Sequence, residues 1–219
     1  MKRPLLIIFL VLLIDQTLKF WIKTNMYLGQ EFHLAGDWFI IHFTENNGMA
    51  FGLEFAGEYG KLALSLFRIF AIGGIGWYLN HLVKNKAHVV LISSIAFIFA
   101  GALGNIIDST FYGVIFSSSE FQLASLFPAE GGYSSLLHGK VVDMFYFPIL
   151  KGNFPDWVPF WGGDYFIFFR PVFNIADASI SVGVILILLF QGVIFKDTDT
   201  KKEGTSDSVD TTTEGSEVK

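Results

Sequence analysis

The 219-residue sequence predicts an all-α integral membrane protein: four transmembrane helices, with a small β element and enlarged loops on one, outer, side. Three observations carry that prediction. Hydrophobic residues make up 52% of the chain and charged residues 16%, with mean hydropathy +0.51, whereas ordinary globular domains carry roughly 25% charge. The charge is also displaced to one end. From Lys196 onward there are 4 basic and 7 acidic residues, which leaves the remainder too sparsely charged to clothe a surface in water. Finally, four apolar runs approach the roughly 20 residues that cross a bilayer, and their basic flanks fall on a single side. Such a chain is neither an ordinary cytosolic enzyme nor, at a net charge of −5, a nucleic-acid binder, which needs a basic surface. With no cysteine it has no disulfide framework, thiolate zinc site, iron–sulfur cluster or cysteine nucleophile.

The first run covers about residues 4–22. Lys2 and Arg3 before a short apolar stretch look like the start of a secretory signal peptide, but no small-residue cleavage site follows, and the pattern continues through Asp15 and Lys19 to Trp21. It is therefore expected to be a retained helix. The second run covers about 62–82 and is interrupted by Arg68, the third about 89–107, and the fourth about 175–195. Lys2 and Arg3, then Lys84 and Lys86, then Lys196, Lys201 and Lys202 mark the cytoplasmic side. The segments 23–61 and 108–174 are then outside. Trp21, Trp38, Trp157 and Trp161 lie in or beside them, as interface anchors do.

Within the outer segments, Asp37–Phe43 is aromatic and β-branched and is bounded by Gly36 and by Asn46-Asn47-Gly48, which predicts a strand closed by a turn. Phe51 and Phe55 follow it. The stretch 109–139 is rich in Ser, Gly and Phe without a clean period, and 151–163 is dense in Trp, Pro and Gly and has an interfacial character. The tail, 197–219, holds almost nothing apolar and is expected to be a disordered cytoplasmic extension of a transmembrane domain spanning 1–196.

Ionisable groups in or beside spans are costly and default to function. Asp15 and Lys19 are four apart on one helical face and can pair. Asp108 ends the third span, after Gly101, Gly104 and Asn105, and Asp177 opens the fourth, after Asn174. Asp143 stands among Val141, Val142, Met144 and Phe145. For Asp15 and Lys19 a structural ion pair competes with a direct role, Arg68 is expected to snorkel, and the two glycines suit close helix packing. Asp143 and Asp177 have no adjacent Lys or Arg to explain them. The five histidines show no metal-binding spacing, and no nucleophile elbow or phosphate loop is present. What remains is carboxylate chemistry without a metal or other cofactor. Two carboxyls held together share a proton and can activate water.

In order along the chain, Asp15-Gln16-x-x-Lys19, Asn46-x-Gly48-x-Ala50-Phe51, Gly101-Ala102-Leu103-Gly104-Asn105-x-x-Asp108, Val141-Val142-Asp143 and Phe173-Asn174-Ile175-Ala176-Asp177 resemble the five motifs of the bacterial lipoprotein signal peptidases (signal peptidase II), a family of membrane aspartyl proteases. The resemblance covers about residues 4–196. It implies an endopeptidase of the bacterial inner membrane with both termini cytoplasmic, acting as a monomer at the outer leaflet. It implies diacylglyceryl-modified prolipoproteins as substrates, cut before the modified cysteine, with membrane lipids as the other partners. It further implies Asp143 and Asp177 as the catalytic dyad, Asn46, Gly48, Asn105 and Asn174 as substrate-binding residues, and Asp15, Lys19 and Asp108 as their support.

The sequence departs from the family pattern in three places. Ser109 stands where arginine is usual, so an ion pair for Asp108 has to come from elsewhere or be absent. The Asp108–Asp143 and Asp143–Asp177 connections are longer than usual. Met144 replaces a phenylalanine. A different class, a small transporter or proton-coupled channel, also places aspartates in membrane helices, but it predicts polar residues at mid-span and broken spans in repeated halves. Here the acids gather at one depth and no repeat appears.

Overall fold

The computed structural model describes residues 2–47, 57–168 and 171–210. Helix α1 (Lys2–Asn25) leads into strands β1 (Glu31–Ala35) and β2 (Phe39–Asn46); helices α2 (Gly57–Lys84) and α3 (Val89–Ile107) follow. A π-helical turn (Asp108–Tyr112) and a short turn α4 (Gly113–Ile115) prolong α3. After a long loop come β3 (Val141–Tyr146), β4 (Leu150–Asn153), β5 (Tyr165–Phe168) and β6 (Val172–Phe173), then helix α5 (Ile175–Asp210). Four helical stretches are long and apolar enough to cross a membrane: Lys2–Asn25, Gly60–Lys84, Val89–Ile115 and Ile175–Ile194.

Their polarity is inverted relative to a protein in water. On α1, Leu5, Leu6, Phe9, Leu10, Leu13 and Ile14 are exposed, while Asp15, Lys19 and Lys23 are fully buried. Lipid as the solvent resolves this, since hydrocarbon welcomes the leucines and drives the charges inward to partners. Small residues set the packing of α3 on α5. A Cβ on Gly101 would lie 2.1 Å from the Ala176 carbonyl oxygen, one on Gly104 3.2 Å from the Ala176 Cβ, and one on Gly183 2.6 Å from the Ser94 carbonyl oxygen.

Strands β1, β2, β3 and β6 form one antiparallel sheet in that order. In the β2–β3 register Thr44 faces Asp143 and Asn46 faces Val141. Because side chains alternate along a strand, Val142 and Met144 enter a core with Ile22, Met26, Phe43, Tyr112, Phe116 and Ala124, while Asp143 points the other way.

The structure moves several expected boundaries. The strand expected at 37–43 is displaced to Phe39–Asn46, and the turn holds Asp37 and Trp38. Helix α3 keeps the expected bounds of 89–107, and the π turn and α4 then carry the helical path on to Ile115 without a break. Helix α5 keeps its helical backbone to Asp210, so the expected start of an unstructured tail at 197 falls inside a helix; extending an existing helix costs far less than nucleating one. Gly48, Ala50, Phe51 and Phe55 of the second motif region, and residues 211–219, lie outside the described residues.

The aperiodic stretch 109–140 is held by backbone hydrogen bonds rather than by regular elements. Gly139 donates to Ser109 (2.8 Å), Ser134 to Gly113 (2.8 Å), Phe127 to Ile115 (2.7 Å) and Ala124 to Lys23 (3.1 Å). A Cβ on Gly132 would sit 2.1 Å from the Gly113 carbonyl oxygen, and one on Gly139 2.2 Å from that of Asp108. The loop is thereby fastened to the ends of both α1 and α3.

Candidate active site

Where α5 begins, four elements supply polar side chains to one place: α1 gives Asp15, Gln16 and Lys19, the end of α3 gives Asn105 and Asp108, β3 gives Asp143, and the start of α5 gives Asn174 and Asp177. Asn174 caps the helix, its Oδ1 accepting the Asp177 N–H at 2.9 Å. Asp15 completes the cap from another helix by accepting the Ala176 N–H at 2.9 Å. The two together satisfy donors that a helix start leaves open and set the direction in which Asp177 leaves the helix.

The two asparagines then connect the two remaining carboxylates. Asn174 Nδ2 donates to Asp143 Oδ1 at 2.7 Å and to Asn105 Oδ1 at 3.1 Å. Asn105 Nδ2 donates to Asp177 Oδ1 at 2.8 Å. Neither amide is free to flip. The Asn105 oxygen also accepts from Lys19 Nζ at 3.0 Å, and the Asn174 oxygen is held by the Asp177 N–H, so both NH₂ groups must face carboxylates. Asn46 bonds to Asp143 as well. Asp143 is buried and Asp177 half-buried. Burial, followed by the charge on Asp177, raises the Asp143 carboxyl to about 7, against the opposing pull of Lys19, Asn46 and Asn174.

Lys19 lies 2.9 Å from Asp15 and 2.8 Å from Asp108, with all three side chains fully buried. The cation missing beside Asp108 in sequence is thus supplied by the first helix. Ser109 turns back on its own helix, its hydroxyl donating to the Asn105 carbonyl at 3.0 Å. Asp108 also accepts the Val142 N–H at 3.2 Å, which fixes the strand one residue before Asp143. Arg68, expected to reach for headgroups, is also within electrostatic reach of Asp177.

Every described residue of the expected set therefore meets in one network, and Gly48 lies outside the described residues. Three participants were not singled out from the sequence. Gln16 donates to Asp15 (3.1 Å) and Asp108 (3.0 Å) and accepts from Tyr112 Oη (3.1 Å). Lys23, buried one turn beyond Lys19, contacts Glu45 Oε1 at 2.6 Å and Ser119 Oγ at 2.7 Å and stands 4.8 Å from the centre of the Tyr133 ring. Glu45 also holds Lys140 at 3.3 Å. The i, i+4, i+8 spacing of Asp15, Lys19 and Lys23 is the signal that could have pointed to the lysine. A separate apolar groove of about 810 Å³, lined by Leu18, Trp21, Ile22, Phe32, Leu34 and Met144 among others, contains neither Asp143 nor Asp177.

A family model described as signal peptidase (SPase) II matches residues 7–193. The chain is 55% identical over 184 residues to a lipoprotein signal peptidase of Porphyromonas gingivalis, covering 84% of this chain and 80% of that one. It is 39% identical over 183 residues to the lipoprotein signal peptidase of Amoebophilus asiaticus, covering 82% and 73%. A bacterial membrane enzyme solved in meso at 1.9 Å superposes with a TM-score of 0.57 at 27% identity, covering 86% of this chain and 92% of that one; another, at 2.3 Å, gives 0.56 at 25% identity over 100% and 96%.

Proposed function

The chain belongs to the signal peptidase II family, and we propose that Asp143 and Asp177 are the dyad with which it works. Its activity is removal of the signal peptide from prolipoproteins, as an aspartic-type endopeptidase of the membrane. The cut falls before the diacylglyceryl-modified cysteine. The observation that carries the dyad reading is the asparagine bridge, which puts two carboxylates from different elements on one hydrogen-bond network.

The two carboxylates are unequal, and that gives each a role. Asp143, pushed up to about 7 by burial and by its neighbour, carries the shared proton. Asp177 takes a proton from the attacking water. Asp143 gives its proton to the carbonyl oxygen as the tetrahedral intermediate forms, and as this collapses the proton on Asp177 passes to the leaving amine while Asp143 recovers its own. Asn46, Asn105 and Asn174 line the cleft around the scissile bond, Gly48 joins them as a substrate-binding residue by its place in the motif, and Asp15, Lys19 and Asp108 hold the cleft in shape. An amide side chain can orient a peptide without adding a buried charge.

Residues 1–196 form the peptidase domain, acting as a monomer, and 197–219 are an appendage. The protein lies in the bacterial inner membrane with both termini cytoplasmic and the dyad at the outer leaflet, a placement supported by the basic flanks Lys2, Arg3, Lys84, Lys86, Lys201 and Lys202. Because the chain has no cysteine, single cysteines introduced at Lys86 and Glu120 report sidedness directly. An impermeant maleimide added to intact spheroplasts should label only the second.

The test of the dyad is conversion of a diacylglyceryl-modified precursor by purified Asp143→Asn and Asp177→Asn. Each should lower turnover by roughly 10²–10⁴-fold or more, and the double variant should be no worse than either single, because members of one catalytic unit are not additive. A well-folded Asp177→Asn protein that keeps more than about a tenth of the rate, roughly 1.4 kcal/mol of barrier, ends the dyad reading.

A further inference from the structure

Strands β4 and β5 stand apart from the sheet that carries Asp143. Among the described residues they pair only with each other, Leu150 opposite Phe168, Lys151 opposite Ile167, Gly152 opposite Phe166 and Asn153 opposite Tyr165. Alternation sorts these side chains. One face carries Leu150, Gly152, Phe166 and Phe168, extended by Phe154, whose ring centre lies 4.8 Å from that of Phe166. The other carries Lys151, Asn153, Tyr165 and Ile167.

The tip is a closed structure. Phe154 donates to Asp164 (2.9 Å), Gly163 to Phe154 (2.9 Å), Gly162 to Val158 (2.9 Å) and Asp164 to Trp161 (3.0 Å). A Cβ on Gly162 would come 2.6 Å from the Asp156 carbonyl oxygen. This compact loop presents Trp157, Phe160 and Trp161 outward at 81%, 95% and 59% exposure, and the apolar face below it leaves Leu150 and Phe168 at 60% and 58%. Phe160 does so from a left-handed backbone, φ 70°, a conformation that costs a bulky residue free energy.

We propose that this hairpin is a membrane-seated element: its tip aromatics and its Leu150/Phe168 face lie in the phospholipid interface beside the outer end of α5. Three observations select lipid over a protein partner. A contiguous exposed aromatic patch marks an interaction surface, and Trp at the boundary of a span is characteristic of the headgroup region. Lys151, Asp156 and Asp164 are the only charges between Leu150 and Phe168, which offers little electrostatic complementarity to a charged partner. The hairpin is also joined to a span by a short stretch of chain. The chain returns from β5 to β6, which pairs with β3 through Phe145–Phe173 and Tyr146–Val172, and α5 starts two residues after β6 ends. The hairpin root thus lies between the two strands that lead to Asp143 and Asp177, and seating its tip fixes the depth of that root. The inference rests on the membrane-spanning reading and not on the peptidase chemistry.

The experiment reconstitutes the full chain into phosphatidylcholine vesicles, either plain or brominated high on the acyl chains. Fluorescence of the wild type is compared with that of Trp157→Phe/Trp161→Phe, a pair of substitutions that preserves ring packing. The difference between the two spectra is the emission of the tip. It should be blue-shifted and lose at least half its intensity in brominated vesicles, while aqueous iodide leaves it nearly unchanged. A difference spectrum quenched by iodide and untouched by bromine overturns the proposal. So does one that shifts only when lipidated precursor is added, which makes the hairpin a substrate contact instead. Neither reading requires turnover, so an inactive preparation still decides the question, and failure of the dyad assignment leaves this measurement unaffected.

Discussion

Asp143 has its proton affinity set by where it sits, and two pH effects follow. Its folded-state carboxyl titrates near 7, above the ordinary carboxylate value, because burial and Asp177 disfavour its charge. The sign is therefore that of a raised acid: no stability is lost below about pH 4, and stability declines as pH rises through about 7 and the proton leaves. Thermal unfolding in detergent should show this decline in the wild type and much less of it in Asp143→Asn. Turnover should fall over the same upper range, as the dyad loses its only proton. Away from the dyad, Lys23 and Glu45 form a buried pair at 0% and 5% side-chain exposure. Lys23→Met alone leaves Glu45 with the more distant Lys140 and should cost about 3–5 kcal/mol; adding Glu45→Gln should recover part of that loss, read as the unfolding temperature. At this scale the sequence was informative about the charged helix face, since Asp15, Lys19 and Lys23 repeat every four residues. It was silent about Glu45, whose partner lies on another element, and about Gln16, whose bonds to Asp108 and Tyr112 link α1 to the far end of α3.

Among the elements, the contact between α3 and α5 has the least room. Gly101→Ala would push a methyl group to within 2.1 Å of the Ala176 carbonyl, immediately before Asp177. The helices must separate, so both the unfolding temperature and kcat should drop, with overpacking costing about 1–3 kcal/mol. Gly73→Ala on α2 is the control, because its Cβ meets nothing within 4 Å and the change removes a flexible residue from a helix. Its activity should match the wild type. The spans and this glycine seam were legible because hydropathy and small-residue spacing are local signals. Strand β3 was not, since Val141–Phe145 is a short apolar run whose pairing with β2 is a long-range property. The stretch 109–140 was opaque for a related reason: glycine contacts and backbone hydrogen bonds to α1 and α3 fix it, and neither leaves a period in the sequence.

For the whole molecule, the polar end of the chain is expected to be dispensable. Truncation after Lys202 should leave turnover within about tenfold, a barrier change below roughly 1.4 kcal/mol, because the network around Asp177 is completed by residues up to the first turn of α5. A larger loss would assign the remaining helix a part in catalysis. The tie between Asp15 and the Ala176 N–H has a different kind of consequence, one of timing. It joins the first of the four apolar helices to the fourth, so a nascent chain that has threaded only three of them into the membrane holds Asp15, Lys19, Asn105, Asp108 and Asp143 but lacks Asn174 and Asp177. Until the fourth arrives, the network has no Asn174 to tie Asn105 to Asp143, so on the dyad reading the partial chain is inert.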